Sequence, residues 1–194
     1  MSPCLCANFY MLKKLNNKNG FTLIELIVTL SIFGIMMVIA IPSFLTYIPT
    51  MRLKGAARDI SSSFQFARMK AVSENNTFAV KFTGSSYSIY DDNDSDDIYA
   101  DTTDPLDIAI RTSTLSDGIS FGVGTNVSSG VSGGGTPTDF ITFGGDACDF
   151  SPRGTADSGT VYITNTKNES YAVAVSSSGR VIIYVWDGNS WESS

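Results

Sequence analysis

Histidine is absent from this chain, cysteine occurs three times, and Lys and Arg together number 13 against 19 Asp and Glu, for a net charge of −6 over 194 residues. Without histidine the commonest general base and the commonest metal ligand are missing. No Cys/His cluster or dinucleotide fingerprint is present, so these enzyme signatures are lacking as well. Cys4 and Cys6 stand near the start and Cys148 far from both, a pattern that offers no disulfide framework and makes Cys148 a packing residue. The acidic balance repels phosphate backbones and keeps the counterion-release contribution to DNA binding small.

Charge is also missing locally. From Leu26 to Met51 there is no charged side chain, and Leu, Ile, Val, Met, Phe and Ala dominate. That exceeds the roughly 20 residues a membrane helix needs. Lys13, Lys14 and Lys18 precede the run, which predicts a cytoplasmic N-terminus and an outside C-terminal part. No small-x-small cleavage site follows Ile39-Ala40-Ile41-Pro42-Ser43-Phe44, as it would after a secretory signal. Pro42 is expected to kink the helix near the outer membrane face. Glu25, one turn inside the start of the run, is costly in hydrocarbon and calls for a cationic partner.

Gly20-Phe21-Thr22-Leu23-Ile24-Glu25 resembles the processing motif of type IV pilins and the pseudopilins of type II secretion. The resemblance implies that a prepilin peptidase cuts between Gly20 and Phe21 and N-methylates Phe21. It also implies that Glu25 pairs with the terminal amine of a neighbouring subunit. Carboxylate and amine are each expensive alone in a low dielectric, and pairing offsets the cost. Three segments then follow: a cleaved leader at 1–20, a transmembrane assembly helix at 21–50, and an extracytoplasmic domain at 51–194. Removing Met1 to Gly20 discards Cys4, Cys6 and three lysines, taking the side-chain charge from −6 to −9. Met11 provides an alternative start that leaves a short leader of the usual kind.

Beyond the run, Leu53, Ala56, Ala57, Ile60, Phe64, Ala67 and Ala71 recur at spacings of three and four, predicting an amphipathic helix packed on a sheet. Pro49 and Gly55 are expected to interrupt it, and Asn75-Asn76 to end it. The period then changes to two. Strands are predicted at Thr77–Thr83, Tyr87–Tyr90, Leu106–Thr112, Ile119–Val123, Asp139–Phe143, Thr160–Thr164, Tyr171–Ser176 and Arg180–Trp186. The fold class is therefore α+β and pilin-like, a long membrane-spanning helix continuing into an amphipathic helix on an antiparallel β-sheet domain. The Gly/Ser-rich stretch from Gly122 to Gly135 has no Gly-Lys-Ser/Thr to cradle a phosphate and is expected to be a mobile loop.

Ala67-Arg68-Met69-Lys70-Ala71, Phe150-Ser151-Pro152-Arg153-Gly154 and Val175-Ser176-Ser177-Ser178-Gly179-Arg180-Val181 together resemble GspH/FimT-type pseudopilins. The implied function is that of a minor pseudopilin of type II secretion, at or near the tip of an inner-membrane pseudopilus that drives export of folded proteins. A minor pilin of a type IV pilus is the alternative, and a membrane-anchored ligand-binding module a third. Implied partners are prepilin peptidase, other minor and major (pseudo)pilins, inner-membrane lipid, and an exoprotein or the secretin. DNA capture is disfavoured, since Gly179-Arg180 is followed by Val181-Ile182-Ile183 where DNA-binding relatives carry a second basic residue.

No cofactor is expected, with calcium as the one candidate. Asp92, Asp94 and Asp96 have the alternate spacing of an EF-hand start, but Asp97 stands where that loop needs Gly and Thr103 where it needs a bidentate Glu. The tyrosines and Trp186 and Trp191 fall on or beside strand candidates, as packing residues do; a partner surface is the other reading for the two tryptophans.

Overall fold

The computed structural model describes residues 20–92 and 108–194. The chain divides into two units, Met1–Ser43 and Phe44–Ser194. Helix α1, Leu23–Glu74, supplies the described secondary structure of the first and the opening element of the second. It is, among the described residues, the one helix long and apolar enough to cross a membrane.

Local chemistry sets both ends of α1. Thr22 is the N-cap: its Oγ1 accepts from the Glu25 backbone N–H at 3.2 Å, and its carbonyl takes the Leu26 N–H at 3.1 Å, which satisfies donors a helix start leaves orphaned. At the other end Asn75 adopts a left-handed conformation with φ +53°. The Asn76 N–H then reaches back to the Ala71 carbonyl at 3.2 Å, the Schellman closure. The predicted stop at Asn75-Asn76 is observed. The predicted interruption at Pro49 and Gly55 is not, for α1 runs unbroken through Pro42, Pro49 and Gly55. Pro49 removes one helical hydrogen bond, while Leu53, Ala56, Ala57 and Ile60, all buried just beyond it, hold the helix against the core.

Among the described residues nine antiparallel strands follow, in two sheets. The first sheet contains β1 (Thr77–Thr83), β2 (Ser86–Asp92), β3 (Ile108–Thr114) and β5 (Ala147–Phe150), in the order β3-β2-β1-β5. The second contains β4 (Ile119–Phe121), β6 (Gly159–Asn165), β7 (Ser170–Val175), β8 (Val181–Trp186) and β9 (Trp191–Ser193), in the order β4-β6-β7-β8-β9. One core joins α1 to both sheets. Phe64, fully buried, has its ring centre 5.9, 5.7 and 6.1 Å from those of Phe82, Phe143 and Phe150, and Ile89, Val161, Ile163 and Val173 complete the surround.

Two sequence expectations fail here. Asp139–Phe143 is not a strand: only Ile141 bridges, to Val161, with the Thr142 N–H on the Thr160 carbonyl beside it. Its alternation reflects Ile141 and Phe143 turning toward the core from an irregular segment. The Gly122–Gly135 stretch is pinned down rather than loose. The Gly124 N–H donates to Ser170 Oγ at 2.7 Å, the Val131 N–H to the Tyr162 hydroxyl at 3.0 Å, and Trp191 Nε1 to the Ser129 carbonyl at 2.7 Å. Side-chain-poor sequence still carries backbone donors and acceptors, and these are what hold it.

Candidate functional site

The N-terminal site is built on the cap. Because Thr22 starts the helix, Gly20 and Phe21 precede it in non-helical backbone, which is the form a peptidase can thread. A Cβ placed on Gly20 would meet nothing within 4 Å among the described residues. Phe21 is 81% exposed. Glu25 occupies the third helical position of α1, where its negative charge is favoured by the helix N-terminus. No ion pair or side-chain hydrogen bond engages its carboxylate among the described residues, in which Lys70–Glu74 is the recorded ion pair. Thr22 is the residue the sequence reading passed over, although the Thr-x-x-Glu spacing was there to be read.

From Leu23 to Tyr47 every residue is exposed. Two polar side chains in this stretch turn inward on their own backbone: Thr29 Oγ1 donates to the Leu26 carbonyl at 2.9 Å and Ser31 Oγ to the Ile27 carbonyl at 2.8 Å. Such self-satisfaction is what a lipid environment requires.

In the second unit, the three stretches that carried the GspH/FimT resemblance meet at Arg68. Its Nε donates to the Gly154 carbonyl at 3.0 Å and its Nη2 to the Ser178 carbonyl at 3.2 Å. Ala67 and Ala71, both fully buried, let the helix approach. Gly154 (φ +78°) and Gly179 (φ +72°) make the turns, and a Cβ on Gly179 would stand 2.2 Å from the Gly154 carbonyl oxygen. The junction is a fold-making staple with no reactive group. Sequence reading assigned the alanines and glycines their places but could not see Arg68, whose partners lie far along the chain.

Cys148 is fully buried, its thiol 3.7 Å from the Asp157 carbonyl oxygen. Burial first, then Asp149 and Asp157, pushes the thiol far above its ordinary range, and a thiol that stays protonated is an inert one. Asp92 ends β2 fully buried, opposite Thr77. Asp94 and Asp96 lie outside the described residues. Trp186 is buried and Trp191 partly so, their rings 5.4 Å apart and Trp191 5.5 Å from Tyr162. These aromatics serve packing.

A family model described as Type II transport protein GspH matches residues 56–179. The chain belongs to the GspH family. A second model, described as the prokaryotic N-terminal methylation motif, matches residues 15–41, across the segment built on Gly20, Phe21 and Glu25. No curated protein gave a match. Among solved structures, the chain is similar to the minor pseudopilin EpsH from the type 2 secretion system of Vibrio cholerae, at 13% identity and a TM-score of 0.46, covering 69% of this chain and 97% of that one. It is also similar to the type IV minor pilin FimU of Pseudomonas aeruginosa, at 16% identity and a TM-score of 0.48, covering 75% and 96%.

Proposed function

We propose that this chain is a minor pseudopilin of a type II secretion system, a structural subunit at or near the tip of an inner-membrane pseudopilus. The observation that carries the reading is the pairing of a GspH-family domain at residues 56–179 with an N-terminal methylation motif at residues 15–41 on one chain. The family's role is structural.

In this reading the run from Leu26 spans the inner membrane with its N-terminus cytoplasmic. Prepilin peptidase removes Met1 to Gly20 and N-methylates Phe21, and Glu25 pairs with the terminal amine of a neighbouring pilin-like subunit. The uncommitted Glu25 carboxylate supports this, since an unpaired charge near hydrocarbon gains most from a partner. Pro42 kinks the helix near the outer membrane face. The role asks for no cofactor, and calcium at Asp92, Asp94 and Asp96 would be an addition to it.

Deletion of the gene tests the assignment. Exoproteins should stop accumulating outside the cell and build up behind the outer membrane, with the full chain in trans restoring export. Intact export together with lost piliation would replace the reading with that of a type IV minor pilin.

A further inference from the structure

Cations gather on α1 just after the uncharged run, at Arg52, Lys54 and Arg58, all exposed. The positive-inside rule accounts for Lys13, Lys14 and Lys18 on the other flank and asks for none here. Two of the cations in this region are committed. Arg52 Nη1 donates to the Asp117 carbonyl at 3.2 Å, and Lys167 Nζ donates to the Thr46 carbonyl. Lys54 and Arg58 make no ion pair and no side-chain hydrogen bond among the described residues. Glu169, on the turn that grips this stretch of helix, is itself occupied by Thr50 Oγ1 at 3.1 Å and Asn165 Nδ2 at 2.6 Å.

Four residues apart, Lys54 and Arg58 share a helix face. With Tyr47, Thr50, Met51 and Gly55 they line a shallow cleft of about 260 Å³. The space over Gly55 is open, since a Cβ there would meet nothing within 4 Å. Tyr47 and Met51, 58% and 57% exposed, form the half nearer the apolar run, and helix side chains lean toward the N-terminus, which aims Lys54 and Arg58 back over them. Lys54 stands nine residues after Leu45, roughly 14 Å of helix, a distance the headgroup layer and a long flexible side chain cover between them.

We infer that this cleft binds the headgroup of an anionic phospholipid of the outer leaflet, the phosphate held by Lys54 and Arg58 and the first acyl carbons lying on Met51 and Tyr47. A free phosphate ion would make no use of the apolar half, whereas a lipid uses both halves and continues the apolar run. The inference rests on the chain being membrane-anchored.

The full chain in detergent micelles, examined by native mass spectrometry with added phosphatidylglycerol or phosphatidylcholine, tests it. Phosphatidylglycerol should be retained roughly tenfold over phosphatidylcholine, and Lys54→Gln with Arg58→Gln should bring the ratio to about one, with thermal unfolding unchanged. Lys70→Gln, elsewhere on the helix, should leave the ratio as it was. A wild-type chain without preference, a double variant that keeps it, or displacement of the lipid by inorganic phosphate would each overturn the inference. So would a double variant that keeps the lipid ratio but no longer captures other pseudopilins, which would give the cleft to a protein partner. Extraction of the wild-type chain from cell membranes by alkaline carbonate would defeat the anchoring itself, a failure separate from loss of lipid preference.

Discussion

The two stretches of α1, Leu23–Tyr47 and Leu53–Ala71, share backbone geometry and differ in what completes them. In the later stretch the apolar positions Leu53, Ala57, Ile60, Phe64, Ala67 and Ala71 are all fully buried, and Ser61 and Ser63 are buried with them, while Lys54, Arg58, Asp59, Ser62 and Gln65 face out. In the earlier one Leu, Ile, Val, Met and Phe are exposed on every side, and Thr29 and Ser31 return to their own carbonyls. A helix apolar all round is finished only by lipid or by other helices. The later stretch is a folding element, and the earlier one, in the proposed role, is completed by lipid and neighbouring subunits. Mutations in the two should fail in different assays.

The largest effect on folding should come from Phe64→Ala. Removing a ring packed among Phe82, Phe143 and Phe150 should cost about 3–5 kcal/mol, read as lost thermal stability in the domain expressed from Arg52 onward. If that domain melts unchanged, the distinction between the two stretches collapses. Arg68→Ala should come next, at about 2 kcal/mol, since it removes two charge-assisted bonds and leaves the Gly154 and Ser178 carbonyls without that donor. Urea denaturation of the same domain measures it, and Arg68→Lys should recover only part, for lack of the fork.

A smaller, local and pH-dependent effect is expected at Asp187. Its carboxylate accepts from the Asn189 and Ser190 backbone N–H groups at 2.7 and 2.6 Å, and the Ser190 bond first, then that of Asn189, holds its pKa below the usual aspartate value. A depressed folded-state pKa means that the stabilisation is full above the ordinary aspartate range and is lost as pH falls through the folded value. Asp187→Ala should therefore raise amide exchange in the turn before β9 at neutral pH. At pH values below the depressed pKa, wild type and variant should exchange alike.

Much of the fold was legible because its signals are local. The switch from three-four spacing to alternation, the Asn75 stop and the bounds of β1 all depend on neighbours in sequence. What escaped depends on distant partners. β5, the four residues Ala147-Cys148-Asp149-Phe150, is too short to alternate visibly and exists because β1 pairs with it, Val80 opposite Cys148. Arg68 looked like one more exposed cation until Gly154 and Ser178 came to it. The Gly/Ser stretch hid its order because backbone groups, which every residue has, do the holding. At the N-terminal site the residues themselves were readable, apart from Thr22, whose capping role the carboxylate at Glu25 overshadowed.

The most direct test of the assembly claim is the incorporation of Glu25→Val into purified pseudopili, measured beside its membrane insertion and the melting of its soluble domain. The variant should be cut and inserted at least as well as wild type, since it loses the carboxylate's transfer cost, and its domain should melt unchanged. It should nevertheless be missing from the filaments, and export should fall with it. Incorporation at the wild-type level would contradict the account, because the carboxylate, which no described residue of this chain engages, would then need no partner at all.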